Sequence, residues 1–151
     1  MSALSDRMGD RMGGAEKSFE KKTKYLLLVL IINFFLLLLA IYVSLLRDIL
    51  IDDELFLLPF VLFCFLGFLL VYWVRTGKVE GELKKNLNLT GYSAGLIFVS
   101  VVLHNLTSGI GMVLLNKDFE EPLFFLLATI VLPLLFVVGS LKSIQEFRRL
   151  H

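Results

Sequence analysis

The sequence predicts an all-α integral membrane protein, built as a four-transmembrane-helix antiparallel bundle with both termini in the cytoplasm (N-in/C-in). Its 151 residues are 57% hydrophobic and 19% charged, and the mean hydropathy of +0.81 exceeds that of ordinary soluble domains. Four segments contain no Asp, Glu, Lys or Arg over the roughly 20 residues that a helix needs to cross a bilayer core. Basic residues gather on one side of these segments, and this asymmetry predicts the orientation.

The four uncharged segments are residues 25–46, 55–74, 92–115 and 123–141. An unpaired backbone polar group in hydrocarbon costs several kcal/mol, so each segment is expected to be helical throughout. The chain is therefore divided into a cytoplasmic N-terminal segment at 1–24, a four-helix transmembrane domain at 25–144 and a cytoplasmic tail at 145–151.

Basic residues mark the expected cytoplasmic side. They precede the first segment, fill the loop between the second and third, and follow the fourth: Arg7, Arg11, Lys17, Lys21, Lys22, Lys24, Arg75, Lys78, Lys84, Lys85, Lys142, Arg148 and Arg149. The other two loops contain Arg47 and Lys117. Because these loops are short, the positive-inside rule applies and places both termini in the cytoplasm. Short connections also predict that successive helices are antiparallel neighbours.

The two ends of the chain carry weaker patterns. Apolar residues recur at helical spacing in the N-terminal segment, which is typical of an amphipathic helix on a membrane surface; they are Leu4, Met8, Met12, Ala15 and Phe19. The pair Gly13 and Gly14 disfavours a continuous helix, so the sequence favours a flexible tail, with a surface or partner-binding helix as the alternative. At the other end, Ile144, Phe147 and Leu150 continue an apolar stripe and predict that the fourth helix extends beyond the membrane.

The third segment carries most of the intramembrane polar residues. Ser100, His104 and Thr107 fall on one helical face, and His104 lies about 18 Å from the start of the segment, near the expected midplane. The candidate intramembrane polar site consists of His104, Asn105, Ser100, Thr107, Ser108, Asn33 and Thr129. Two interpretations stay open: hydrogen bonds that hold helices together, or a polar cavity or proton path, since ionisable groups inside a membrane are functional candidates.

Glycines in the third segment predict close packing of helices. Gly91 and Gly95 form a G-x-x-x-G pattern, and Gly109 and Gly111 follow near the other end. In the fourth segment, Pro133 has no N–H to donate to the carbonyl four residues earlier, which predicts a kink.

Phosphate-binding loops, zinc-ligand clusters and serine-nucleophile motifs are absent from the sequence, so we predict no catalytic residue, cofactor, metal or nucleic-acid partner. Apart from His104 the chain has one histidine, His151, which disfavours haem ligation within one copy. The expected function is a non-catalytic structural or accessory subunit, with the lipid bilayer and either a homo-oligomer or a larger membrane-protein complex as partners. The alternative is an oligomeric channel or transporter with a polar path along Ser100, His104, Thr107 and Ser108.

Overall fold

A computed structural model describes residues 2–42, 53–77, 79–115 and 122–149, with the side chains of 18–40, 58–77, 79–114 and 122–149. These residues are almost entirely helical and include no strand. Within them lie four helices that are long and apolar enough to cross a membrane: Ser18–Ala40, Leu58–Thr76, Gly81–Leu114 and Pro122–Arg149. The prediction of an all-helical chain with four potential spans is therefore confirmed.

The helices in chain order are α1 (Ser2–Tyr42), α2 (Asp53–Thr76), α3 (Gly81–Leu115), α4 (Pro122–Leu126), a π-helical turn (Leu127–Val131) and α5 (Leu132–Arg149). All four helical spans extend beyond their uncharged segments at one end or both. A helix needs apolar side chains only where it crosses lipid, so polar turns can prolong it at either end.

The first helix continues through Gly13 and Gly14 and includes the N-terminal segment, for which the sequence leaves a flexible tail and a surface helix open. Its side chains before Ser18 lie outside the described ones, as do Arg47, Lys117, Leu150 and His151. Helix α5 continues beyond the end of the fourth uncharged segment as far as Arg149, as the apolar stripe predicts.

The fourth span contains a local change of helix type. The N–H of Leu132 donates to the carbonyl of Leu127, five residues earlier, which is the hydrogen bond of a π-helix. Pro133 follows immediately, and its ring nitrogen cannot donate to the carbonyl of Thr129. A π-helical turn, which is a common site of helix kinks, thus lies directly before Pro133, where the sequence predicts a kink.

Three phenylalanines form the centre of the packing. The ring centroid of Phe34 on α1 lies 5.8 Å from that of Phe63 on α2 and 4.6 Å from that of Phe136 on α5, and Phe63 and Phe136 are 5.2 Å apart. Phe63 and Phe136 are almost fully buried. Because each ring comes from a different helix, this cluster joins α1, α2 and α5.

Helix α3 packs closely against two neighbours through small residues. A Cβ atom added to Gly91 would lie 2.7 Å from the carbonyl oxygen of Gly67 on α2, and one added to Gly67 would lie 2.8 Å from the backbone nitrogen of Gly95. On the α5 side, a Cβ on Gly139 would lie 2.7 Å from the hydroxyl of Thr90. The backbones approach so closely because glycine has no side chain.

The start of the first span is attached to the end of the second. The ring of Phe19 stacks on Trp73, with centroids 5.4 Å apart and planes within 6° of parallel. The same ring covers Gly77, where an added Cβ would overlap it. Helix α3 then begins at Gly81, whose φ of +66° lies in the left-handed region that favours glycine.

Candidate functional site

One face of α3 carries a continuous set of residues, here called the α3 seam: Gly91, Gly95, Phe98, Val102, Asn105, Gly109 and Met112. Their spacing alternates between four and three residues, which keeps them on one side of the helix. This spacing is also the one with which two helices pack side by side in a left-handed pair. The seam is therefore suited to contact another helix along its whole length.

The first half of the seam is covered by α2. Gly91 and Gly95 are buried, and their backbones lie against Gly67 as described above. Phe98 is half-buried, with its ring centroid 6.0 Å from that of Phe60. In this half the seam has its helix partner within the chain.

The second half of the seam is open. Val102 is 45% exposed and Met112 is 53% exposed. Among the described residues, no atom beyond the adjacent α3 backbone lies within 4 Å of a Cβ added to Gly109. Asn105 is also exposed. In the most apolar 18-residue stretch of α3, 17% of the residues are buried, against 39% in the corresponding stretch of the first span. Among the residues whose side chains the structure describes, the face that contacts α2 thus becomes exposed beyond Phe98.

Asn105 is the polar member of this open half. Its amide Nδ2 donates to the carbonyl of Val101 at 2.9 Å, on the same helix. An asparagine amide has a second N–H and an oxygen with two lone pairs. These groups are able to bond to a neighbouring helix, whereas hydrocarbon would offer them no hydrogen bonds.

The predicted polar face lies on a different side of α3. Ser100 is buried, whereas His104, Thr107, Ser108 and Gly111 are half-buried. The ring centroid of His104 lies 5.6 Å from that of Phe125 on α4. The hydroxyl of Thr107 donates to the carbonyl of Leu103 at 2.7 Å, so its donor is satisfied within the helix.

The two candidates outside α3 have different partners. Asn33 is 8% exposed, and its Nδ2 donates to the carbonyl of Pro59 at 3.3 Å, a bond that joins α1 to α2. Thr129 is exposed and donates to the carbonyl of Phe125 at 2.7 Å. The structure therefore brings His104 and Thr129 to the same α4 residue, while Asn33 binds between α1 and α2.

Sequence reasoning missed several residues that position α3. They are Gly67, Thr90, Gly139 and the pair Arg75 and Tyr92, in which the guanidinium donates to the phenol oxygen and lies 5.6 Å from the ring centroid. Single glycines and threonines are common in apolar helices, and spacing within one helix does not identify the neighbouring helix. Only the tertiary arrangement distinguishes these residues from others of the same type.

Within residues 2–42, 53–77, 79–115 and 122–149, no group of three His, Cys, Asp or Glu side chains that could hold a metal ion is present. No protein-family model, curated protein or solved structure matches this chain. The half-open α3 seam and the polar face around His104 are the two candidate functional features of this chain.

Proposed function

We propose that this chain is a non-catalytic, multi-pass membrane protein that assembles through the open half of the α3 seam, with a second copy of itself as the partner. The observation that carries the proposal is the exposed Asn105 amide on a face that is packed against α2 two turns earlier, at Phe98. Exposed leucines do not distinguish a lipid-facing surface from a protein-facing one, because an apolar side chain suits either environment. An exposed amide and an open glycine on the same face favour another helix.

The proposed topology has four antiparallel spans with both termini in the cytoplasm. Contacts at one end of the bundle support it: Phe19 meets Trp73, Lys24 lies 5.0 Å from the ring of Phe147, and Arg75 contacts Tyr92. These contacts gather basic residues from several helices at the same end. The positive-inside rule assigns that end to the cytoplasm.

A second copy suits the seam for a geometric reason. All copies of a membrane protein insert with the same orientation, so a two-fold axis along the membrane normal makes two α3 helices parallel and sets equal residues opposite each other. Asn105 then faces Asn105, and Gly109 faces Gly109. An amide is self-complementary, since each one donates and accepts, and a single asparagine in such a seam fixes the register of two helices.

Cysteine cross-linking tests this arrangement. In a Cys64→Ala background, the Gly109→Cys variant is expected to form a disulfide-linked dimer on mild oxidation, because the two seams bring equal positions together. The matched control is Leu36→Cys, whose position on α1 is 48% exposed and lies off the seam. Equal cross-linking at both positions, or none at position 109, would contradict a dimer through α3.

The contribution of the Asn105 amide to dimerisation is tested separately, by measuring the mass of the purified protein in mild detergent. Asn105→Leu should raise the dimer dissociation constant about 3- to 30-fold, the range that interhelical polar contacts in membranes provide. Thr129→Val, which removes another exposed polar group, should leave it unchanged. A monomer that co-purifies with a stoichiometric membrane chain would replace the second copy by a partner subunit, and a lone monomer would overturn the assembly role.

The alternative proposal is an oligomeric channel or transporter. It is supported by Ser100, His104 and Thr107 sharing one face of α3, with Ser108 beside them, and by the half-buried position of His104 against α4. If this face lines a path, ion or proton flux into liposomes should fall in the His104→Ala variant. Flux that is absent, or equal in the two proteins, would remove His104 from transport.

A further inference from the structure

A groove separates the first span from the last helix at the basic end of the bundle. Its volume is about 530 Å³, and its lining residues are Lys24, Leu27, Leu28, Ile31, Ile144, Phe147 and Arg148. The volume falls within the range of small-molecule sites in proteins. The two helices meet on either side of the groove, at Lys24 and Phe147 and again at Phe34 and Phe136.

The body of the groove is apolar. Leu27 is 2% exposed and forms its floor, whereas Leu28 is 51% exposed and forms an outer wall. Ile31 lies about 10 Å further along α1 than Lys24, at 1.5 Å per residue, so the apolar body extends from the charged end toward the middle of the span. Ile144, one turn before Arg148, lines the opposite side. An alkyl chain matches this surface along its length.

The two cations lie at one end of the groove. The Lys24 ammonium is 5.0 Å from the ring centroid of Phe147, the residue directly before Arg148. Lys24 and Arg148 therefore lie at the same end of the groove. Glu20 lies 3.1 Å from the Lys24 ammonium and partly offsets its charge. On α5, Glu146 pairs with Arg149 at 2.8 Å, and Arg148 is the exposed cation of that helix which lines the groove. A guanidinium offers parallel N–H donors that match a phosphate.

We infer that this groove binds one anionic phospholipid, with the headgroup phosphate between Arg148 and Lys24 and an acyl chain along Leu28, Ile31 and Ile144. The charge at one end and the apolar body below it correspond to the two parts of such a lipid. Because Glu20 offsets Lys24, Arg148 contributes the larger share of phosphate binding. This site is separate from the α3 seam, so the lipid-binding proposal is tested independently of the assembly proposal.

Native mass spectrometry of the purified protein tests the inference with phosphatidylglycerol and phosphatidylcholine of identical acyl chains. We expect one phosphatidylglycerol to be retained in preference to phosphatidylcholine. Arg148→Gln should weaken phosphatidylglycerol binding about five-fold, the effect of losing one basic contact with an anionic lipid. Lys24→Gln should have a smaller effect in the same direction. Leu28→Trp should lower the binding of both lipids, because the indole fills the apolar body.

The matched control is Lys22→Gln, which removes an exposed positive charge from α1 outside the groove lining. An equal loss in Lys22→Gln and Arg148→Gln would show diffuse attraction to anionic lipid and would overturn the site. Equal retention of the two lipids would also overturn it, as would displacement of phosphatidylglycerol by an equal concentration of inorganic phosphate. Arg148→Lys keeps the charge and should keep the preference, which separates loss of phosphate binding from loss of folding.

Discussion

At the scale of single residues, glycines in α3 have the same chemistry and opposite surroundings. Gly91 lies against the α2 backbone, where an added Cβ would be 2.7 Å from both the Gly67 carbonyl oxygen and a methyl group of Val71. Gly109 lies further along the same helix, and within the described part of the chain an added Cβ there would meet open space. The first glycine permits the approach of two backbones within the chain, whereas the second leaves room for something outside it.

Alanine substitutions at these two glycines should separate the two roles. Gly91→Ala is expected to destabilise the fold by about 1–3 kcal/mol, because the α2 backbone must move away from the new methyl group. Gly109→Ala should leave the stability of the single chain unchanged or raise it by up to about 1 kcal/mol, since alanine favours helix more than glycine does. Unfolding by titration with a denaturing detergent, followed by circular dichroism, measures both effects.

The pair supplies its own control, because the chemical change is identical and both sites lie in α3. A loss of stability at Gly109 as large as at Gly91 would mean that the open half of the seam is packed within the single chain. An unchanged Gly91→Ala variant would mean that α2 and α3 adjust without cost at their closest approach.

At the scale of helices, hydropathy predicted the spans because an apolar run of bilayer length has few alternatives to a transmembrane helix. It did not predict that α3 would begin at Gly81. The residues between Gly81 and Tyr92 include charged and polar side chains, such as Glu82 and Lys85, which form an ion pair at 2.6 Å outside the uncharged segment. Helix ends outside lipid depend on local hydrogen bonds and capping rather than on hydropathy.

The candidate site was harder to predict than the spans. Helical spacing correctly groups residues on one face, but it does not say whether protein, lipid or another subunit covers that face. Asn33 could be recognised as a polar residue in need of a partner, whereas its partner, the Pro59 carbonyl, is a backbone group that every residue carries. Asn105 and His104 are adjacent in sequence, and the structure turns one outward and the other against Phe125.

At the scale of the whole molecule, the proposed orientation gives each end of the bundle a different chemical environment. In a Cys64→Ala background, a membrane-impermeant maleimide should label Asp118→Cys in intact cells, because that loop is expected to face outward. Lys22→Cys and Lys85→Cys should be labelled only after the membrane is permeabilised, because positive-inside orientation places them in the cytoplasm. Labelling is read by the mass increase of the purified protein.

The three positions check one another, since a single orientation must explain all of them. The opposite pattern would reverse the bundle, and labelling of Lys22→Cys without Lys85→Cys in intact cells would imply an odd number of crossings between them. The fully reversed pattern would leave the α3 seam in place and move the basic groove to the outer leaflet. The mixed pattern would place Lys24 and Arg148 on opposite sides of the membrane and so contradict the groove itself.

The stacking of Phe19 on Trp73 has an optical consequence. The chain contains a single tryptophan, so the protein's indole fluorescence arises wholly from the place where α1 meets the end of α2. The indole N–H is buried, and no described residue accepts its hydrogen bond. Fluorescence emission from Trp73 therefore reports, without any added dye, whether the Phe19 end of α1 stays packed against α2. It can be followed during a pH titration, lipid binding or unfolding.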